Sequence, residues 1–257
     1  MRVSWGEVDS GGKKSSVGGS VRQQMVGGLA ALYLAAAYVV AMPYFLAFVK
    51  YPSVTDPVAK VNLLVGNHDS MRVVYLITYV IFGIALAVLA LALYARLRDR
   101  APTLMQAGTA VGLMWAVVLV ASGMIFNAGV ASVVELHATS PAQAVSAWQA
   151  IEPVAQGLGG SGGELLGGLW VLLVSVAALR TGGLPKVLNW LGVAIGAAGV
   201  LSVVTALKDL AYGFGLLQIV WFVWLGIVML RTTSRPDPAR SAEALEPRSS
   251  RLPSATV

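Results

Sequence analysis

Six stretches of this chain are long, apolar and nearly free of charge: Met25–Val49, Val73–Ala95, Ala107–Gly129, Gly159–Leu179, Val187–Leu207 and Tyr212–Leu230. A helix rising about 1.5 Å per residue needs about 20 residues to cross a hydrocarbon core about 30 Å thick. In that medium only helices and closed barrels satisfy the backbone, and these runs lack the two-residue alternation of barrel strands. The expected fold is all-α, a polytopic membrane bundle of six transmembrane helices. The first run is too long for a signal-peptide core and has no small-residue cleavage site, so it is expected to be a retained span. Pro43 should kink it.

Charge agrees. Only 12% of residues are charged, against about 25% for a soluble domain. The net charge is +6, but the basic residues sit in short clusters between the apolar runs rather than along an aromatic-studded face, which argues against a nucleic-acid partner. The lipid bilayer is the partner this composition implies. With no cysteine, disulfides, thiolate nucleophiles and iron–sulfur clusters are excluded.

The basic residues also orient the chain, because Lys and Arg accumulate on the cytoplasmic side. With the N-terminus inside, 14 of the 18 fall in cytoplasmic segments, and Lys50, Lys60, Arg72 and Lys208 remain outside. An even number of spans with both termini cytoplasmic follows. Residues 1–24, rich in Gly and Ser, and residues 231–257, rich in Arg, Pro and Ser, carry no apolar periodicity and are expected to be disordered tails around a transmembrane domain at 25–230.

Two outer segments read as short helices. Asp56-Pro57 offers an N-cap followed by proline at the first helical position, with Gly66-Asn67 as the stop. Ser140-Pro141-Ala142-Gln143 has the form of a capping box, and Trp148 on the helix that follows should sit at headgroup depth.

Residues that could carry chemistry are few. Ser161 lies in a Gly-Gly-Ser-Gly-Gly run that resembles the serine motif of rhomboid intramembrane proteases, at the start of the fourth span as in that family. Residues 212–230, where the family's histidine would lie, contain none, and a serine without a base is a poor nucleophile. No catalytic residue is therefore expected, nor an enzyme. Glu164 stands 16 residues before Arg180, about 24 Å at helical rise, near the outer boundary of the hydrocarbon. It has two readings. Three residues after Ser161 it can close a capping box at the positive end of a helix dipole. As an intramembrane carboxylate it can instead mark a solute or ion path. Asn127 and Gln218 are the companion candidates; with Asn189 and Thr205 they are the polar residues within spans and are expected to bond between helices. His68 and His137 fall in outer segments without metal-ligand spacing, so neither metal nor other cofactor is expected. Gly108/Gly112, Gly163/Gly167 and Gly192/Gly196/Gly199 repeat at the spacing that lets membrane helices approach closely. A faint likeness between Leu97-Arg98 with Pro102 and Leu179-Arg180 with Pro185 fits short inner turns as well as it fits a duplication.

From Glu164 to Leu230 a helix is followed by Gly182-Gly183-Leu184-Pro185-Lys186, then Leu191-Gly192, then a last helix with Trp221 and Trp224. This pattern resembles bacterial multi-pass proteins of domain-of-unknown-function family 4386. The resemblance implies a helical protein of the bacterial inner membrane and assigns no activity. The function expected is that of a non-enzymatic factor or subunit of a membrane assembly. Its rival is a small-solute or ion transporter with Glu164 on the path, for which the distinguishing feature would be a polar cavity containing Glu164, Asn127 or Gln218.

Overall fold

A computed structural model describes residues 12–159, 163–207 and 209–233, and among these there is no strand. The helices are α1 (Gly12–Pro43), α2 (Pro57–Gly66), α3 (His68–Tyr75), α4 (Phe82–Leu97), α5 (Pro102–Thr139), α6 (Pro141–Gly159), α7 (Gly163–Thr181), α8 (Lys186–Leu201) and α9 (Leu210–Thr233). Residues 12–24, read from the sequence as part of a tail, belong to α1. Residues 1–11 and 234–257, the remainder of the expected tails, lie outside the described residues.

Five stretches are long and apolar enough to cross a bilayer: Val21–Phe48, His68–Leu97, Pro102–Thr139, Pro141–Thr181 and Leu210–Thr232. The chain is a helical membrane protein. The sixth expected span, Val187–Leu207, is the exception. Its helix α8 has 16 residues, about 24 Å, and stops at Ser202, whose hydroxyl bonds back to the Gly199 carbonyl at 2.7 Å. The β-branched run Val203-Val204-Thr205 that follows is a poor helix former, and the chain leaves in a 3-10 turn at Thr205–Leu207.

One end of the bundle is tied by Arg96, whose guanidinium donates to Gln24 Oε1 (3.0 Å), Thr232 Oγ1 (3.0 Å) and the Gly183 carbonyl (3.1 Å). The Gln24 turn of α1, the end of α4, the α7–α8 turn and the end of α9 therefore meet. In that turn Gly182 takes φ +67°, a conformation that favours glycine. The opposite end is closed by a cap. There α5 does not stop at Gly129 but runs on to Thr139, 38 residues in all, or about 57 Å, and α6 folds back against it. With α2 and α3 they enclose a second apolar core around Tyr51, Leu64, Tyr75, Phe126 and Trp148.

The Asp56 cap forms as expected, its Oδ1 accepting from Ala59 N at 2.7 Å. Trp148 does not: it is 1% exposed and donates to the Tyr51 hydroxyl at 2.8 Å. It anchors the cap's interior rather than lying in the headgroups, because α5 continues beneath it and offers Phe126 as a T-shaped partner at 5.3 Å. Beside it Lys60 and Glu152 pair at 3.0 Å, joining α2 to α6. Burial, and then the Glu152 carboxylate, push the Tyr51 hydroxyl well above its ordinary pKa, so it stays protonated.

Candidate functional site

Two places in the bundle leave α-helical geometry for π-helical turns, Tyr44–Phe48 after α1 and Leu76–Ile81 before α4. Pro43 accounts for the first, since it has no N–H to continue the ladder. The second is held from the side. Thr78 Oγ1 donates to the Val74 carbonyl at 2.7 Å, and Tyr33 Oη donates to the Ile77 carbonyl at 2.7 Å. Single π turns of this kind recur at functional sites.

Both π turns border cavities that meet at Glu164. One of about 180 Å³ is lined by Ala37, Tyr38 and Ala41 of α1, Thr78 and Tyr79 of the second π turn, Phe82, Leu119, Gly159 and Glu164. A second, of about 590 Å³, shares Tyr38, Ala41, Tyr79 and Glu164 and reaches Phe45, Leu46, Pro52, Gln156, Asp209 and Tyr212 toward the cap end. A third, of about 80 Å³, adds Trp115, Phe214 and Gly215. Glu164 is in the first turn of α7, where the helix dipole favours a carboxylate. Its Oε2 is buried and has no hydrogen-bond partner among the described residues. It shares the lining of the first two cavities with Tyr38 and Tyr79. Ser161, needed for the capping box and for any rhomboid-like serine, lies outside the described residues.

Phe82 and Trp115, which line the cavities, belong to a cluster of aromatic rings in the bundle. Trp115 and Trp170 stand 5.8 Å apart and Trp170 and Trp221 another 5.8 Å, with Phe82 and Phe222 packed beside them. Trp170, Trp221 and Phe222 are at most 1% exposed.

The family model described as Domain of unknown function (DUF4386) matches residues 28–230. The chain belongs to this family. The likeness read from Glu164–Leu230 alone thus extends over most of the chain and takes in every residue lining the three cavities. No curated protein and no solved structure matches the chain.

The other candidates of this DUF4386 member lie elsewhere. Asn127 donates to the Gly123 carbonyl at 2.9 Å and faces an outer groove with Arg72 and Met124. Gln218 is fully buried on α9, one turn beyond Phe214, and neither of its amide atoms has a partner among the described residues. It does not line the Glu164 cavities. Asn189, expected to bond between helices, serves the α7–α8 turn instead by donating to the Leu184 carbonyl at 3.1 Å, and Thr205 is exposed in its 3-10 turn. His68 and His137 bond to the Val65 carbonyl (2.7 Å) and to Asn62 Oδ1 (3.0 Å). Sequence reasoning found Glu164 but missed Tyr38, Thr78 and Tyr79. The one signal that pointed toward them was Pro43, which marks where α1 must distort.

Proposed function

We propose that this DUF4386 protein is a non-enzymatic multi-pass membrane protein that admits a small solute to Glu164 from the cap side, in the manner of a small-solute transporter. The observation that carries the reading is the buried, unpartnered Glu164 oxygen at the meeting point of three cavities. A carboxylate kept in such a place costs stability unless something arrives to pair with it. Both termini are proposed to be cytoplasmic, in a bacterial inner membrane, with α8 completing the sixth crossing. The meeting of Gln24 and Thr232 at Arg96 supports a shared side for the two ends, and the basic residues near that end support its being the inner one.

The test is reactivity. In proteoliposomes holding the full chain, a water-soluble carbodiimide with an amine nucleophile should modify Glu164, mapped by mass spectrometry. A Glu164 that stays unmodified while exposed carboxylates react would overturn the reading.

A further inference from the structure

We infer that the solute recognised at Glu164 is a small organic ammonium ion. The inference rests on the reading of Glu164 as a solute site and names the chemistry that the site selects.

The charge is the first argument. Glu164 and Asp209 are the ionisable carboxyl groups lining the three cavities, and no Lys, Arg or His is among the described lining residues. An anion would meet repulsion there, and a neutral solute would leave the carboxylate uncompensated. The walls are the second argument. Tyr38, Tyr79, Phe82, Trp115 and Phe214 surround the carboxylate's cavities, and aromatic faces attract a cation that has shed its water. The shortage of oxygen donors is the third. A metal cation asks for about six oxygen ligands, whereas the side-chain oxygens around the cavity of about 180 Å³ are the Glu164 carboxylate and the uncharged hydroxyls of Tyr38, Thr78 and Tyr79. An alkylammonium needs a counter-charge and contact with aromatic and methyl groups, and Glu164 with Tyr38, Tyr79, Phe82, Ala37 and Ala41 provides both. The two larger cavities that share Glu164, about 180 and 590 Å³, leave room for a tetramethylammonium-sized ion.

The experiment titrates the purified full chain in nanodiscs with tetramethylammonium chloride, keeping ionic strength constant with sodium chloride. It reads tryptophan fluorescence, to which Trp115 reports, and the rate of carbodiimide modification of Glu164. A saturable fluorescence change is expected, together with at least tenfold slower modification at saturation; uncharged tert-butanol should produce neither. Glu164→Gln should weaken the fluorescence response at least tenfold, and Tyr38→Leu several-fold with Glu164 still in place. Two outcomes overturn the ammonium assignment while leaving the solute site standing: a carbodiimide-reactive Glu164 that tetramethylammonium does not protect, and a Glu164→Gln protein that responds like the parent. An unreactive Glu164 removes both.

Discussion

At the residue scale, Glu164 shows how a side chain can be visible in a sequence while its role is not. Its position 16 residues before Arg180 placed it near the outer boundary, and the structure puts it in the first turn of α7. Its neighbours could not be read in the same way. Tyr38, Thr78 and Tyr79 come from runs in which an aromatic or hydroxyl residue facing a cavity looks the same as one facing lipid or core, and only the tertiary arrangement separates them. Trp148 illustrates the opposite error: amphipathic spacing on an outer helix suggested the headgroup region, and the continuation of α5 beneath it made a core instead. The two readings of Glu164 differ in what substitution does to stability. A carboxylate with a buried, unbonded oxygen costs stability while nothing pairs with it, so Glu164→Gln should unfold in detergent no more readily than the parent. Loss of a cap would cost about 1 kcal/mol, and more in Glu164→Leu than in Glu164→Gln. A clear loss in that order would assign the residue to the fold.

At the element scale, the glycine spacing was informative and incomplete. Gly196 and Gly199 do pack at a helix contact, but their partner on α7 is Gly168, while Gly167 lies against Trp115 and Phe214 and Gly112 under Trp170. A Cβ at Gly196 would stand 2.7 Å from the Gly168 carbonyl oxygen and from the Leu172 backbone nitrogen, so neither helix can yield without moving. Gly196→Leu should therefore lower stability by about 2 kcal/mol or more, seen as a lower melting temperature in detergent. An unchanged melt would mean that α7 and α8 do not meet there. The α1–α9 contact was invisible to the same reasoning. Gly28 and Gly226 face each other, with a Cβ at Gly226 only 2.9 Å from the Gly28 carbonyl, yet neither has a small residue four positions away to announce it. The ends of elements were the other blind spot. Gly129 looked like a stop and α5 passed through it, whereas Ser202 ended α8 within a run that hydropathy alone would continue.

At the scale of the whole molecule, the all-helical architecture was legible because hydrocarbon leaves the backbone so few choices, and the family match covers residues 28–230, well beyond the Glu164–Leu230 pattern. The sequence could not show that Arg96 gathers the Gln24 turn of α1, the α9 end and the α7–α8 turn into one clamp, because its partners Gln24, Gly183 and Thr232 come from three separate segments. That clamp and the cap define two unlike ends, and the proposed entry of solute from outside requires the cap end, with Glu164 beneath it, to face away from the cytoplasm. The absence of native cysteine makes the test clean. Single cysteines at Ser146, exposed on α6, and at Arg240, in the C-terminal segment, can be labelled with a membrane-impermeant maleimide in intact spheroplasts and again after permeabilisation. Ser146→Cys should label in intact spheroplasts and Arg240→Cys only after permeabilisation; labelling of both from one side, or in the reverse order, would contradict an outward-facing Glu164 cavity and the function built on it.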